Sequence, residues 1–319
     1  MVRYIIRRLL WGVFLLIVVC ALTFVFFRIF PTGNPAILRA GRDPTKGHIE
    51  EIEKVLGLGK PLYTQFWDYL KEVFFHFNFG YSYYNSESVV SLIRERLPAT
   101  ISLTLGAALL WILAGVSTGI ISALRRHTLL DRAAMGTALV AISAPEFWLG
   151  LIFLFLFAND IGKVHLLPGA GTYVGLTYDP GKWFTSLIMP WVTLAASGAA
   201  VYARLMRGSL LDTMNEDYIR TARAKGLPER AVVRQGVRSS INPIVTLLPL
   251  EIGLLLGGAV LIETVFDIHG VGRLAYESIS DSDFAVIQGT VLLAAFFIIV
   301  SNILVDVLYA YLDPRVRFS

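Results

Sequence analysis

The stretch "DYIRTARAKGLPER", residues 217–230, sits between two long apolar runs and sets Arg220, Arg223, Lys225 and Arg230 against only Asp217 and Glu229. The surrounding loop, Met206 to Ser240, is too long for a turn and too patterned for a linker. Tyr218, Ala222 and Lys225 recur at helical spacing with Thr221 beside them, and Gly226 supplies a left-handed stop. Leu227 and Pro228 make a corner, and Pro228 suits the first turn of a following helix. There Arg230, Arg234 and Arg238 form one stripe, and Val233, Val237 and Ile241 another. A basic helix resting on anionic headgroups gains roughly 1 kcal/mol per cation, which accounts for the second helix. It does not account for the first, whose Thr221, Ala222, Ala224 and Gly226 offer lipid little apolar surface. Small residues at a glycine corner suit close insertion into a protein groove.

Outward from this loop the chain is 55% hydrophobic and 16% charged over 319 residues, against roughly a quarter charged in an average soluble domain. Six segments reach the length of about 20 apolar residues that a spanning helix needs. They are Leu9 to Phe27, Ala99 to Leu124, Ala133 to Ala158, Phe184 to Ala203, Ile241 to Ile262 and Val286 to Leu308. An even number of spans puts both termini on one side. Arg3, Arg7 and Arg8, then Arg125, Arg126 and Arg132, the basic residues from Arg204 to Arg238, and Arg315 with Arg317 all fall in alternate loops. The positive-inside rule makes those loops and both termini cytoplasmic. The opposite short loops hold only Lys163, Lys182 and Arg273, so the net charge of +4 reports topology rather than nucleic-acid binding.

The expected organisation is one all-α integral membrane domain. It comprises an N-terminal helix (1–28), an extracytoplasmic cap (29–97), a five-helix core (98–312) holding the cytoplasmic loop 206–240, and a cytoplasmic tail (313–319). The run ending "IVVC" at Cys20 imitates a lipoprotein signal, but Val19 is bulky at the cleavage position and the apolar run continues to Phe27, so an uncleaved first helix is expected. The cap reads as turn-rich "PTGNPAILRAGRDP", a helix in "TKGHIEEIEKVLGL" and another in "LYTQFWDYLKEVFFHF". Its aromatics Phe74, Phe75, Phe77, Phe79, Tyr81, Tyr83 and Tyr84 suit an interfacial belt or packing on the spans better than a ligand surface. The stretch "SVVSLIRERLPAT" reads as an amphipathic lead-in lying along the outer surface and broken by Pro98.

Catalytic patterns are weak. His48, His76, His127, His165 and His269 lie in loops without zinc-ligand spacing, and no phosphate-cradling GxxxxGK[ST] is present. "AASG", residues 195–198, loosely resembles the serine motif of intramembrane proteases, but Ala195 replaces its first glycine and no later span carries a histidine base. A small-residue packing face explains it better. Membrane-embedded carboxylates carry more information, since they face a cavity or a partner. Glu146 follows Pro145 at a weakened point of its helix, and Glu251 follows Pro249; both are candidates to line a pathway. Asp306 and Asn302 share a helix face suited to tying that helix to a neighbour.

"EDYIRTARAKGL" resembles the cytoplasmic EAA loop of the membrane permease subunits of binding-protein-dependent ABC importers, in the form found in the dipeptide, oligopeptide and nickel branch. Arg220, Thr221 and Ala222 stand where the general pattern has Glu, Ala, Ala, so only Ala222 and Gly226 match it. The resemblance continues in order through "LGLGKPLYTQFWDYL", "FNFGYS", "IRERLPATISL", "ALRRHTLLDR", "SAPEFWLG", "LPGAGTY", "VYARLMRGSLLD", "IETVFDIHGVGRL" and "SNILVDVLYAYLDPRVR". Gly59 and Asn78 depart from it, each where the branch commonly has Asp.

This resemblance implies a type I importer permease fold in a bacterial or archaeal cytoplasmic membrane, forming half of a pathway for di- or oligopeptides or a related small solute such as nickel. It implies a second homologous permease, two cytoplasmic ATPase subunits that bind the ATP and Mg, and an extracytoplasmic solute-binding protein, with no cofactor in this chain itself. It also implies that Asp217, Tyr218, Arg220, Thr221, Ala222, Lys225 and Gly226 form a coupling helix docked on an ATPase. Two readings compete: a proton-coupled secondary transporter using Glu146 and Glu251, and, more remotely, an intramembrane enzyme.

Overall fold

A computed structural model describes residues 2–29, 47, 53, 59–82 and 84–312. The helices, in chain order, are α1 (Val2–Ile29), α2 (Leu62–Phe75), α3 (Val89–Leu124), α4 (Leu129–Ser143), α5 (Glu146–Phe157) and α6 (Pro180–Thr213). They continue as α7 (Asp217–Ala224), α8 (Glu229–Ser240), α9 (Asn242–Leu256), α10 (Val260–Val265), α11 (Val271–Ser280) and α12 (Phe284–Leu312). A two-residue antiparallel ladder, β1 (Tyr81–Ser82) with β2 (Glu87–Ser88), joins α2 to α3. The turn-rich segment 31–44, the expected cap helix over 45–58 apart from Gly47 and Glu53, and the tail 313–319 lie outside the described residues.

Among the described residues, four helices are long and apolar enough to cross a membrane: α1, α3, α6 and α12. The number rises to six if each of two bent pairs is one span. The expected third span is one such pair, broken at Pro145, with α4 and α5 inclined by 104°. Proline has no N–H for the preceding turn and clashes with its carbonyl, so the helix ends at Ser143 and restarts at Glu146. The expected span from Ile241 to Ile262 is corrected more sharply. Its helix α9 stops at Leu256, because Gly258 takes a left-handed φ of +129°, and α10 begins in a new direction. Upstream, α8 meets α9 at 43°.

The lead-in before the second span is also corrected. Pro98 does not break it, since α3 runs unbroken from Val89 to Leu124 after a cap in which the Ser88 hydroxyl accepts from Ser91 N at 3.1 Å. Burial of Val89, Leu92 and Ile93 against Leu274 and Val286 holds the first turns in place, outweighing the cost of one interior proline.

The core lies between α3 and α6, which pack through small residues. A Cβ on Gly115 would stand 2.7 Å from Ala199 O, and one on Gly119 2.7 Å from Ala203 O. No larger residue fits at either position, and backbones this close gain dispersion that lipid alone does not provide. The "AASG" segment behaves as a packing face, with Ala195 and Ala200 buried and Gly198 against Trp111. Helix α12 takes α1 on one side, where Gly12 meets Ile299, and α9 on another, where Gly253 meets Ser301. Asp306 pairs with Arg8 at 3.0 Å, while Asn302 donates to Ile298 O in its own helix. Leu10, Phe14, Leu109, Leu113, Phe155 and Phe296 are exposed, the distribution expected where lipid is the solvent. The cap aromatics divide: Phe74 and Phe79 pack on the bundle, whereas Phe75, Phe77 and Tyr84 stay exposed. Tyr83 lies outside the described residues.

Candidate functional site

Helix α6 extends through Thr213 and presents the basic loop at its end. Its footing is an ion pair that no local pattern announces. Arg207 donates Nε to Asp131 Oδ1 at 2.7 Å and Nη2 to Asp131 Oδ2 at 2.9 Å. Asp131 also accepts from Ser122 Oγ on α3 and from His127 N. Three helices are thus pinned by one nearly buried carboxylate, a bidentate geometry that gives both strength and orientation.

Beyond this footing, α7 and α8 fold back as a hairpin on the end of α6. Ile219 and Ala222 of α7 are buried with Val232 of α8, and Met214 packs against them. The buried face of α8 is Val232, Gly236 and Ser240, with Val233 and Val237 of the apolar stripe half-buried beside it. Gly236 allows this approach, since a Cβ there would meet Met214 Sδ at 2.8 Å. Ser209 Oγ donates to Ser240 O at 3.0 Å and Ser240 Oγ to Ser209 O at 3.2 Å, closing the base of the hairpin.

Gly226 carries φ +74°. Leu227 N bonds Ala222 O at 3.3 Å and Gly226 N bonds Arg223 O at 2.9 Å, the two bonds of a Schellman cap. Across the corner Arg223 reaches Glu229, with Nη2 to Oε1 at 2.8 Å, and this guanidinium holds the Glu229 carboxyl below the usual range. Of the residues expected to couple, Ala222 is buried with Ile219 and Val232. Asp217, Tyr218, Arg220, Thr221, Lys225 and Gly226 remain exposed together. The helix α7 is thus capped by its own chain and keeps an exposed polar face beyond the span that Asp131 pins.

The pathway candidates are separated. Glu146 opens α5 directly after Pro145, and its Oε1 accepts from Ser197 Oγ on α6 at 2.5 Å. Glu251 on α9 lies beside the Tyr202 hydroxyl of α6 without reaching hydrogen-bond geometry, and its Oε2 is buried and unpartnered. Ser197 and Tyr202 are five residues apart, so the two carboxylates meet α6 on faces about 140° apart. The structure does not bring them together as a proton relay.

A third carboxylate, overlooked in the sequence because it falls just past the expected fifth span, is the most completely enclosed. Glu263 on α10 has no solvent exposure. Its Oε1 accepts from Thr100 Oγ1 at 2.7 Å and its Oε2 from Arg273 N at 2.7 Å, while Val271 N donates to Thr100 Oγ1 at 2.9 Å. Gly270 leaves room for the carboxylate, and a Cβ on Gly272 would fall 2.9 Å from Gly258 Cα. Arg273 in turn pairs with Asp267 and with Glu277. The signal was present as glycines clustered around one acid in "IETVFDIHGVGRL", a composition that suits a crowded backbone better than a spanning helix. Among the described residues no group of three or more His, Cys, Asp or Glu is placed to hold a metal ion.

Comparison with known proteins agrees with this architecture. The signature of "Binding-protein-dependent transport system inner membrane component" matches residues 115–318, and its N-terminal companion matches residues 1–104. The chain is 38% identical over 320 residues to the "Glutathione transport system permease protein GsiC" of Escherichia coli (strain K12), covering all of both chains. It is equally similar, over the same full length, to a Brucella abortus (strain 2308) protein whose name provisionally makes it a peptide transport system permease. The chain therefore belongs to the family of binding-protein-dependent transport system inner membrane components, a family of transport permeases rather than enzymes.

Proposed function

We propose that this chain is one half of the translocation pathway of an ABC importer for di- or oligopeptides or a related small solute, driven through α7 by a separate ATPase subunit. The observation that carries the coupling role is the exposed polar face of α7, held rigid by the Schellman cap at Gly226 and mounted on α6. Such a helix end moves as one body with its span, so closure of a partner around it shifts packed helices rather than a loose loop. In this reading the chain crosses the membrane six times with both termini cytoplasmic, each bent pair counting as one span. A second homologous permease, two ATPases and an extracytoplasmic solute-binding protein complete the assembly.

The relatives named for peptide and glutathione transport support a peptide-like solute. Pro145 and Glu146 at the break between α4 and α5, and Glu251 beyond Pro249, are the proposed lining residues, because interrupted helices with polar groups line transport paths. The test is transport by the reconstituted complex carrying Arg220→Glu with Lys225→Glu. ATP-driven peptide uptake and substrate-stimulated ATP hydrolysis should both fall while the chain still inserts in the membrane. Full coupling in that variant would overturn the assignment.

A further inference from the structure

Helix α3 carries a charge facing the wrong way for a surface residue. In "IRERL" (residues 93–97) Arg94 and Glu95 are exposed, but Arg96 is half-buried beside the inner stripe. Its four helical neighbours, Leu92 and Ile93 one turn before and Ala99 and Thr100 one turn after, are all buried. The Arg96 Nε and Nη1 are both shielded from solvent and have no hydrogen-bond partner. No carboxylate among the described residues forms an ion pair with it. The carboxylate held by the same helix one turn on, Glu263, is already engaged by Thr100 Oγ1 and Arg273 N.

A guanidinium cannot escape burial by losing its proton, since its pKa lies far above neutrality. Its buried donors therefore cost stability until an acceptor arrives. The acceptor that fits is planar, anionic and two-oxygened, because the Arg fork matches a carboxylate edge to edge. A lipid phosphate would meet the exposed Arg94 first.

We propose that Arg96 is the pathway's recognition site for the carboxylate of the transported solute, which for a peptide is its C-terminal carboxylate. This rests on the peptide-import reading above and deepens it. Two features favour a transient occupant from the solute path. Arg96 stands one helical turn, about 6 Å, from Thr100, whose hydroxyl bridges Glu263 to Val271 N. It therefore lies near the interruption between α9 and α10, the kind of break at which transport sites form. The outward end of α3 is also where a solute released from outside would first meet an inward-facing cation.

The test compares uptake of trialanine and trialanine amide by the assembled complex in proteoliposomes, with the binding protein saturated by each peptide. The wild type should carry the free acid about tenfold faster or more, the range of a lost charged hydrogen bond. Arg96→Gln should bring the ratio close to one chiefly by slowing the acid, and Arg96→Lys should retain part of the preference. An unchanged ratio in Arg96→Gln would overturn the proposal. So would failure of both variants to assemble, which would mark Arg96 as the partner of a carboxylate on a neighbouring subunit. A wild type that carries neither peptide would instead sink the peptide-import reading itself, and this inference with it. As a check independent of transport, Arg96→Met should raise the Tm of the solubilised chain, because a buried charge without a partner is removed. A lowered Tm would mean that Arg96 already has a structural partner, and would overturn the proposal.

Discussion

The two polar centres at either end of the molecule are built in opposite ways. At the α10–α11 end, Glu263 is enclosed, each of its oxygens accepts a hydrogen bond, and glycines bring the backbone close. At the α7–α8 end, only Ile219 and Ala222 of α7 face inward, while its Asp217, Tyr218, Arg220 and Thr221 and the following Lys225 remain exposed. One centre is satisfied internally and fixes shape. The other is capped by its own chain but leaves its polar face exposed, which is what the proposed coupling role requires. The difference teaches that a buried charge network and an exposed one of similar composition do different work. Substitution in the first should be read in stability, and in the second in coupling.

Variants can break or sharpen this contrast. The largest effect is expected from Glu263→Ala, which strands Thr100 Oγ1 and the Arg273 amide in a buried site. A loss of about 3 kcal/mol or more should follow, seen as a markedly lower Tm of the solubilised chain, and an unchanged Tm would show that the clamp contributes nothing. Next is Asp131→Asn, which weakens the bidentate pair with Arg207 and leaves a partly buried guanidinium with a poorer acceptor. It should cost about 2 kcal/mol and reduce coupling as well, since the footing of α6 is common to fold and lever. Gly226→Val meets no steric neighbour, because nothing lies within 4 Å of a Cβ there. Its cost is the left-handed backbone alone, about 1–2 kcal/mol, yet ATP-driven transport should drop more than tenfold if the angle at this corner carries the stroke. Smallest in stability, within about 0.5 kcal/mol, is Arg220→Glu with Lys225→Glu. A Tm near wild type together with lost transport would complete the contrast, and a large Tm fall would erase it.

Much of the α7–α8 end was readable in the chain because its determinants are local. Gly226 and Pro228 fix a corner whatever surrounds them, and a left-handed glycine three residues before a helix start needs no tertiary help. Spacing alone did not show which face of α7 is buried, since that is chosen by the partner surface of Val232 and Met214, which selects Ile219 and Ala222. The Glu263 end was largely illegible. Its acid lies outside the apolar window, and its ligand Thr100 is 163 residues away in the chain. Pro98 also misled, because the local rule against interior proline was overruled by burial of the turn before it.

What the sequence by itself determined is the solvent. Apolar runs of spanning length select lipid, a sum over many residues that no single contact can reverse. What only the tertiary structure decided is how those runs break and which charges they enclose. The 104° turn at Pro145, the stop at Gly258, the Asp131–Arg207 pair and the inward-facing Arg96 depend on groups far apart in the chain. Packing and desolvation act between neighbours in space, so residues that share no local pattern become partners only once the helices have assembled.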